Sequence, residues 1–75
     1  MQASKFSNGS YVAHKVRVNA SVSPMHFSVW FSADGELTDC EGFDKAGRSR
    51  PVSPKVRKVL ATMFGWVVHA SRQSA

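Results

Sequence analysis

The sequence predicts an α+β domain: a three-stranded antiparallel sheet, four-stranded if the N-terminal segment folds back, followed by one C-terminal amphipathic helix packed on one sheet face. Three observations predict it. Valine-rich alternation with a period of two runs through residues 11–22, an Asp34-Gly35 pair punctuates the apolar stretches that follow, and an apolar stripe at helical spacing begins after Pro54.

Residues 11–22 place Val12, His14, Val16, Val18, Ala20 and Val22 on one face and Tyr11, Ala13, Lys15, Arg17, Asn19 and Ser21 on the other. This pattern is that of a strand with one buried face, ended by Ser23-Pro24-Met25, because proline has no ladder donor. A second strand over residues 26–32 puts Phe27, Val29 and Phe31 toward the core, with His26, Ser28, Trp30 and Ser32 on the polar side, which makes Trp30 a candidate exposed aromatic. Asp34-Gly35 suits a tight hairpin turn, returning residues 37–43 as an antiparallel third strand. Leu37, Cys40 and Phe43 are out of phase there, which predicts a bulge or an edge position. Residues 44–51 show no periodicity and read as a loop.

The period then changes. Val56, Val59, Leu60, Met63, Phe64 and Val67 form one stripe, flanked by Trp66 and Ala70, opposite Lys58, Ala61, Thr62, Gly65, His69 and Arg72. The stripe predicts a single helix of about five turns. Ser53 as N-cap and Pro54 as first helical residue set its start. A chain of 75 residues supports one core. Residues 10–73 are therefore expected as one α+β domain, and residues 1–9 as a flexible segment or a short extra strand turned back by Asn8-Gly9.

Composition narrows the function classes. Cys40 is the sole cysteine, so no intrachain disulfide can form, and an unpaired thiol fits a reducing compartment. Residues 1–9 lack the apolar run of a signal peptide, and nowhere do about 18 apolar residues follow one another. The expectation is a cytoplasmic protein with no membrane partner. Net charge is +5, and the sign is segmented: all five acids lie between Asp34 and Asp44, whereas seven of the ten bases lie from Lys45 onward. Such asymmetry suits an anionic partner.

Two cationic groups carry the candidate site. Lys55, Arg57 and Lys58 crowd the start of the helix, where the macrodipole is already positive and acids would stabilise it, and Arg48 and Arg50 precede them. Bases beside free helix-terminal N–H groups suit phosphate; the competing reading pairs them with Asp39, Glu41 or Asp44. The second group is Lys15, Arg17 and Trp30, joined by Tyr11 and His26, on the sheet face left open by the helix, where cations around an aromatic suit backbone contact and stacking. Against it, acids of the third strand would neutralise Lys15 and Arg17 across the ladder.

Other motifs lead away from catalysis. Residues 42–49 nearly spell a Walker A loop with Arg48 in place of lysine, but Pro51 and Ser53 delay the helix that such a loop must feed directly. Cys40, His14, His26 and His69 lack the close spacing of metal ligands, and His14 is expected on the apolar strand face as a core histidine. No nucleophile elbow or calcium loop occurs, and no cofactor is implied. The sequence thus points to a small, basic, non-enzymatic accessory or regulatory protein that binds nucleic acid, DNA or RNA, through Arg48, Arg50, Lys55, Arg57, Lys58, Lys15, Arg17 and Trp30. The alternative is a protein-binding regulator or inhibitor that docks a basic face or a sheet edge on an acidic protein. A homodimer would enlarge either surface.

Overall fold

One type of turn, used three times, organises the sheet in a computed structural model that describes residues 2–18 and 26–73. In residues 6–10, 32–36 and 44–48 the first residue accepts from the glycine three positions on and donates to the carbonyl four positions on, at 2.8–3.0 Å. Gly9, Gly35 and Gly47 hold φ of 92°, 93° and 82°. This is a type I turn closed by a left-handed residue, a three-residue hairpin connection.

The hairpins link β1 (Gln2–Lys5) to β2 (Tyr11–Val16), β3 (His26–Phe31) to β4 (Leu37–Phe43), and β4 to β5 (Ser49–Arg50). All pairings are antiparallel, and spatial order follows chain order. The sheet has five strands where the sequence predicts three or four. Residues 2–5 take the extra-strand option, and the segment read as a loop over 44–51 contains both a turn and β5. β5 was illegible because two residues cannot show a period. Strand β4 has the predicted bounds and the predicted bulge: Trp30 pairs with Asp39 but Phe31 pairs with Leu37, and the extra residue, Thr38, donates its hydroxyl to the Trp30 carbonyl at 3.1 Å.

A second bulge changes the reading of β2. Ala13 pairs with Val29 and Val16 with Phe27, so β2 carries one residue more than β3 between these pairs, and Lys15 adopts φ 57°. An inserted residue reverses the alternation. Before the bulge Tyr11 and Ala13 face the core while Val12 and His14 face outward; after it Val16 returns to the core. The single phase predicted for residues 11–22 is therefore corrected, and so are the open-face place of Tyr11 and the core place of His14. The expected continuation through residues 19–22 and the interruption at 23–25 lie outside the described residues.

The predicted single helix is two. α1 (Pro54–Ala61) starts as expected, with the Ser53 hydroxyl accepting from the Val56 amide and proline in the first turn. It ends where Thr62 and Met63 donate to carbonyls three residues back and the Thr62 hydroxyl caps the Val59 carbonyl at 2.7 Å. α2 (Phe64–Gln73) follows at once. The break lets α1 lie against β4 while α2 lies against β1 and β2, covering more of a five-stranded sheet than one straight rod could.

Both helices bury the same sheet face. Ala13, Val16, Val29, Phe31, Leu60 and Val67 are fully excluded from solvent, with Phe27 nearly so. Phe64 packs edge-on against Tyr11 and at a tilt against Phe31, at centroid distances of 5.7 and 5.6 Å, and closes the end of this core. The opposite sheet face carries no helix.

Candidate functional site

The open face is assembled by ladder register, since paired residues of an antiparallel sheet project to the same side. Val12 pairs with Trp30 and Trp30 with Asp39; Ser28 pairs with Glu41, His26 with Phe43, and Phe43 with Ser49. The middle of the face is aromatic. His14 meets Trp30 edge to face at 6.1 Å, and its Nδ1 lies 2.8 Å from the Ser28 hydroxyl, while Val12 is buried beside them. Toward the end of the sheet formed by the 44–48 turn, His26 stacks on Phe43 at 5.5 Å with the rings 20° apart.

Beside that stack lies a concavity of about 500 Å³ lined by Lys15, Arg17, His26 and Lys45. Three elements converge on it. The bulge presents Lys15, the residues just past β2 present Arg17, and the Asp44–Gly47 turn swings Lys45 next to the first residue of β3. Lys15, Arg17 and Lys45 make no ion pair among the described residues, where the recorded pair is Arg50 with Asp44 at 3.0 Å. The competing reading, in which acids of the third strand neutralise Lys15 and Arg17, finds no such pair among the described residues. Glu41 instead accepts from the Ser49 hydroxyl at 3.3 Å, and Asp39 from the Cys40 amide at 2.8 Å.

The helix-start group is arranged differently. Arg48, Lys55, Arg57 and Lys58 are exposed, but Arg50 is engaged by Asp44 and the Arg57 guanidinium donates to the Cys40 sulfur at 3.3 Å. The amides expected to greet an anion are mostly taken: Pro54 has none, Val56 donates to the Ser53 hydroxyl, and Arg57 to the Ser53 carbonyl. Arg57 and Lys58 line a separate groove of about 470 Å³ with Gly35, Glu36, Leu37, Pro54 and Ala61, between the 32–36 turn and α1. Arg57 and Lys58 thus line a different groove from Lys15, Arg17 and Lys45.

Asp44 organises the turn that carries Lys45. Its carboxylate accepts from the amides of Ala46 and Arg48 at 2.9 Å and from the Arg50 guanidinium at 3.0 Å. These bonds favour the charged form, the Arg48 amide most, and hold the carboxyl below its ordinary value of 3.8. Lys45 was not singled out from the sequence. Asp44 followed three residues later by Gly47 is a type I turn signature, and it was the legible signal that would have brought Lys45 opposite His26.

Among the described residues no three His, Cys, Asp or Glu side chains stand close enough to hold a metal ion, and no helix is long and apolar enough to cross a membrane. The pairing with nucleophile–base geometry, Ser28 with His14, has its serine 6% exposed between strands. The Ser28 hydroxyl thus fixes the orientation of the His14 imidazole. Comparison of the chain with protein-family models, with curated proteins and with solved structures finds no match.

Proposed function

We propose that the protein is a nucleic-acid-binding module, without catalysis of its own, that uses the open sheet face. The observation that carries this reading is the recess of Lys15, Arg17, Lys45 and His26, free of carboxylates among its described lining and continuous with an aromatic patch centred on Trp30. Three unpaired cations in a concave site concentrate field where a phosphate can sit, and a tryptophan on the same face gives a base a surface to stack on. The net charge of +5 supports approach of a polyanion at long range. Arg48, Lys55 and Lys58 stand outside this surface and contribute to that long-range attraction.

The test is fluorescence anisotropy of labelled oligonucleotides across a salt series. Release of counterions by three cations gives a log–log slope of about −2 on a single strand and about −3 on a duplex. The double variant Lys15→Glu/Arg17→Glu should abolish binding, and Arg57→Glu/Lys58→Glu should weaken it by a smaller factor that vanishes as salt rises. Loss of binding in the second variant alone would transfer the site to the helix start. A second reading, capture of an acidic peptide with an apolar anchor, rests on the groove where Arg57 and Lys58 flank Leu37, Pro54 and Ala61.

A further inference from the structure

We infer that the ligand of the open face is a single strand rather than a duplex, one base stacking on Trp30 while an adjoining phosphate occupies the Lys15–Arg17–Lys45 recess. This inference rests on the nucleic-acid reading above and specifies its substrate class.

The distribution of charge across the face decides the path. The cations gather at one end of the face, Lys15 and Arg17 from the β2 side and Lys45 from the turn that follows β4, whereas Asp39 and Glu41 lie along β4, directly opposite Trp30 and Ser28. Neighbouring strands are about 4.8 Å apart, so both carboxylates sit beside the aromatic patch. A polyanion crossing β4 would run over two negative charges; one that follows β3 from Trp30 to His26 runs from the indole into the recess. Trp30 and His26 are four residues apart on one face of β3, a distance of about 13 Å. That span suits a short, extended stretch of one backbone.

A duplex meets this face badly. Entry of a strand ribbon into a major groove brings phosphate walls about 12 Å apart to both sides of the ribbon. One wall would meet the recess, and the other would be carried toward Asp39 and Glu41. Stacking on Trp30 also requires a base out of its pair, which a single strand supplies without the cost of unpairing. The indole is half-buried, and its perpendicular meeting with His14, interplanar angle 86°, restrains its orientation, so stacking uses the part of the ring that remains accessible.

Trp66, the second tryptophan of the chain, is exposed on α2 on the far side of the sheet, so Trp66→Phe leaves Trp30 as the sole indole reporter. In that background, an oligothymidylate of about eight nucleotides, a blunt duplex matched in phosphate content, and inorganic tripolyphosphate are each titrated at low salt. The oligothymidylate should quench Trp30 emission, bind more tightly than the duplex, and be displaced by tripolyphosphate, which competes for the recess alone. Trp30→Ala should lower oligothymidylate affinity by at least about fivefold and leave tripolyphosphate affinity unchanged, which also shows that the variant is folded. Duplex binding equal to or tighter than the single strand, or oligothymidylate binding that leaves Trp30 emission unchanged, overturns the single-strand inference while the nucleic-acid reading stands. Failure of both oligonucleotides to bind overturns both.

Discussion

Lys15 is a β-strand residue with φ 57°, a conformation that costs an L-residue other than glycine about 1–2 kcal/mol. The bulge it occupies aims its side chain at the recess. Strain and candidate function can therefore be separated by one substitution. Lys15→Gly removes the left-handed penalty at an entropic cost of about 0.5–1 kcal/mol, so thermal stability should hold or rise slightly, while affinity for the oligonucleotide falls. A melting curve beside a binding titration checks it, and a marked loss of stability would show that the lysine stem packs structurally. Two turn glycines offer a comparison of the same kind. At Gly47 a Cβ would meet nothing within 4 Å, so Gly47→Ala should cost only the backbone penalty of about 1 kcal/mol. At Gly35 the Cβ would stand 3.1 Å from the Phe64 ring, which is itself wedged against Tyr11 and Phe31. Gly35→Ala should cost about 2 kcal/mol or more in urea denaturation, because the ring must move as well.

At the scale of elements, the Asp44 turn is the device that attaches β5 and positions Lys45. Its carboxyl is held below 3.8 in the folded state by the Arg48 amide first, then by Arg50 and Ala46. A depressed folded pKa contributes stability that is fully present above the unfolded value of about 3.9 and is lost as pH falls through the folded value. Asp44→Asn should therefore be less stable than the parent at neutral pH, and the gap should close as acid denaturation proceeds below about pH 4. A gap that stays constant down to pH 2 would assign the effect to turn geometry alone. Legibility at this scale follows element length. The seven residues of β4 and the Ser53-Pro54 helix start were readable because each carries a local chemical signal. The helix break was not, because the apolar stripe keeps its phase from Leu60 to Met63 and Phe64 across it, while the ladder ends where the Thr62 and Met63 amides turn to carbonyls three residues back and the Thr62 hydroxyl also bonds the Val59 carbonyl.

For the whole molecule, one helical layer on one sheet face means a single core with little redundancy. Leu60 is fully buried at the centre of that layer, and Leu60→Ala should cost about 2–5 kcal/mol. A domain of this size has about 3–5 kcal/mol in all. The variant should therefore be largely unfolded at room temperature, read as loss of chemical-shift dispersion, whereas charge swaps at Lys15 and Arg17, exposed on the helix-free face, should leave the fold intact. The absence of helices from that face is what leaves it open for the proposed binding, and also what makes the core thin.

By itself the sequence determined the class of the fold, the phase of β3, the start of α1 and the excess of positive charge, because each of these is written in local spacing or composition; it placed Trp30 on the helix-free face, where packing leaves the indole half-buried rather than exposed. Only the tertiary structure decided which cations stand together. Lys45 is distant in sequence from Lys15 and Arg17 and is brought beside them by a bulge and a hairpin, while Arg50 and Arg57, which stand among exposed bases in the sequence, are taken by Asp44 and Cys40. The physical reason is that one inserted residue reverses every side chain before it relative to the sheet, and nothing in a period of two records where that insertion falls.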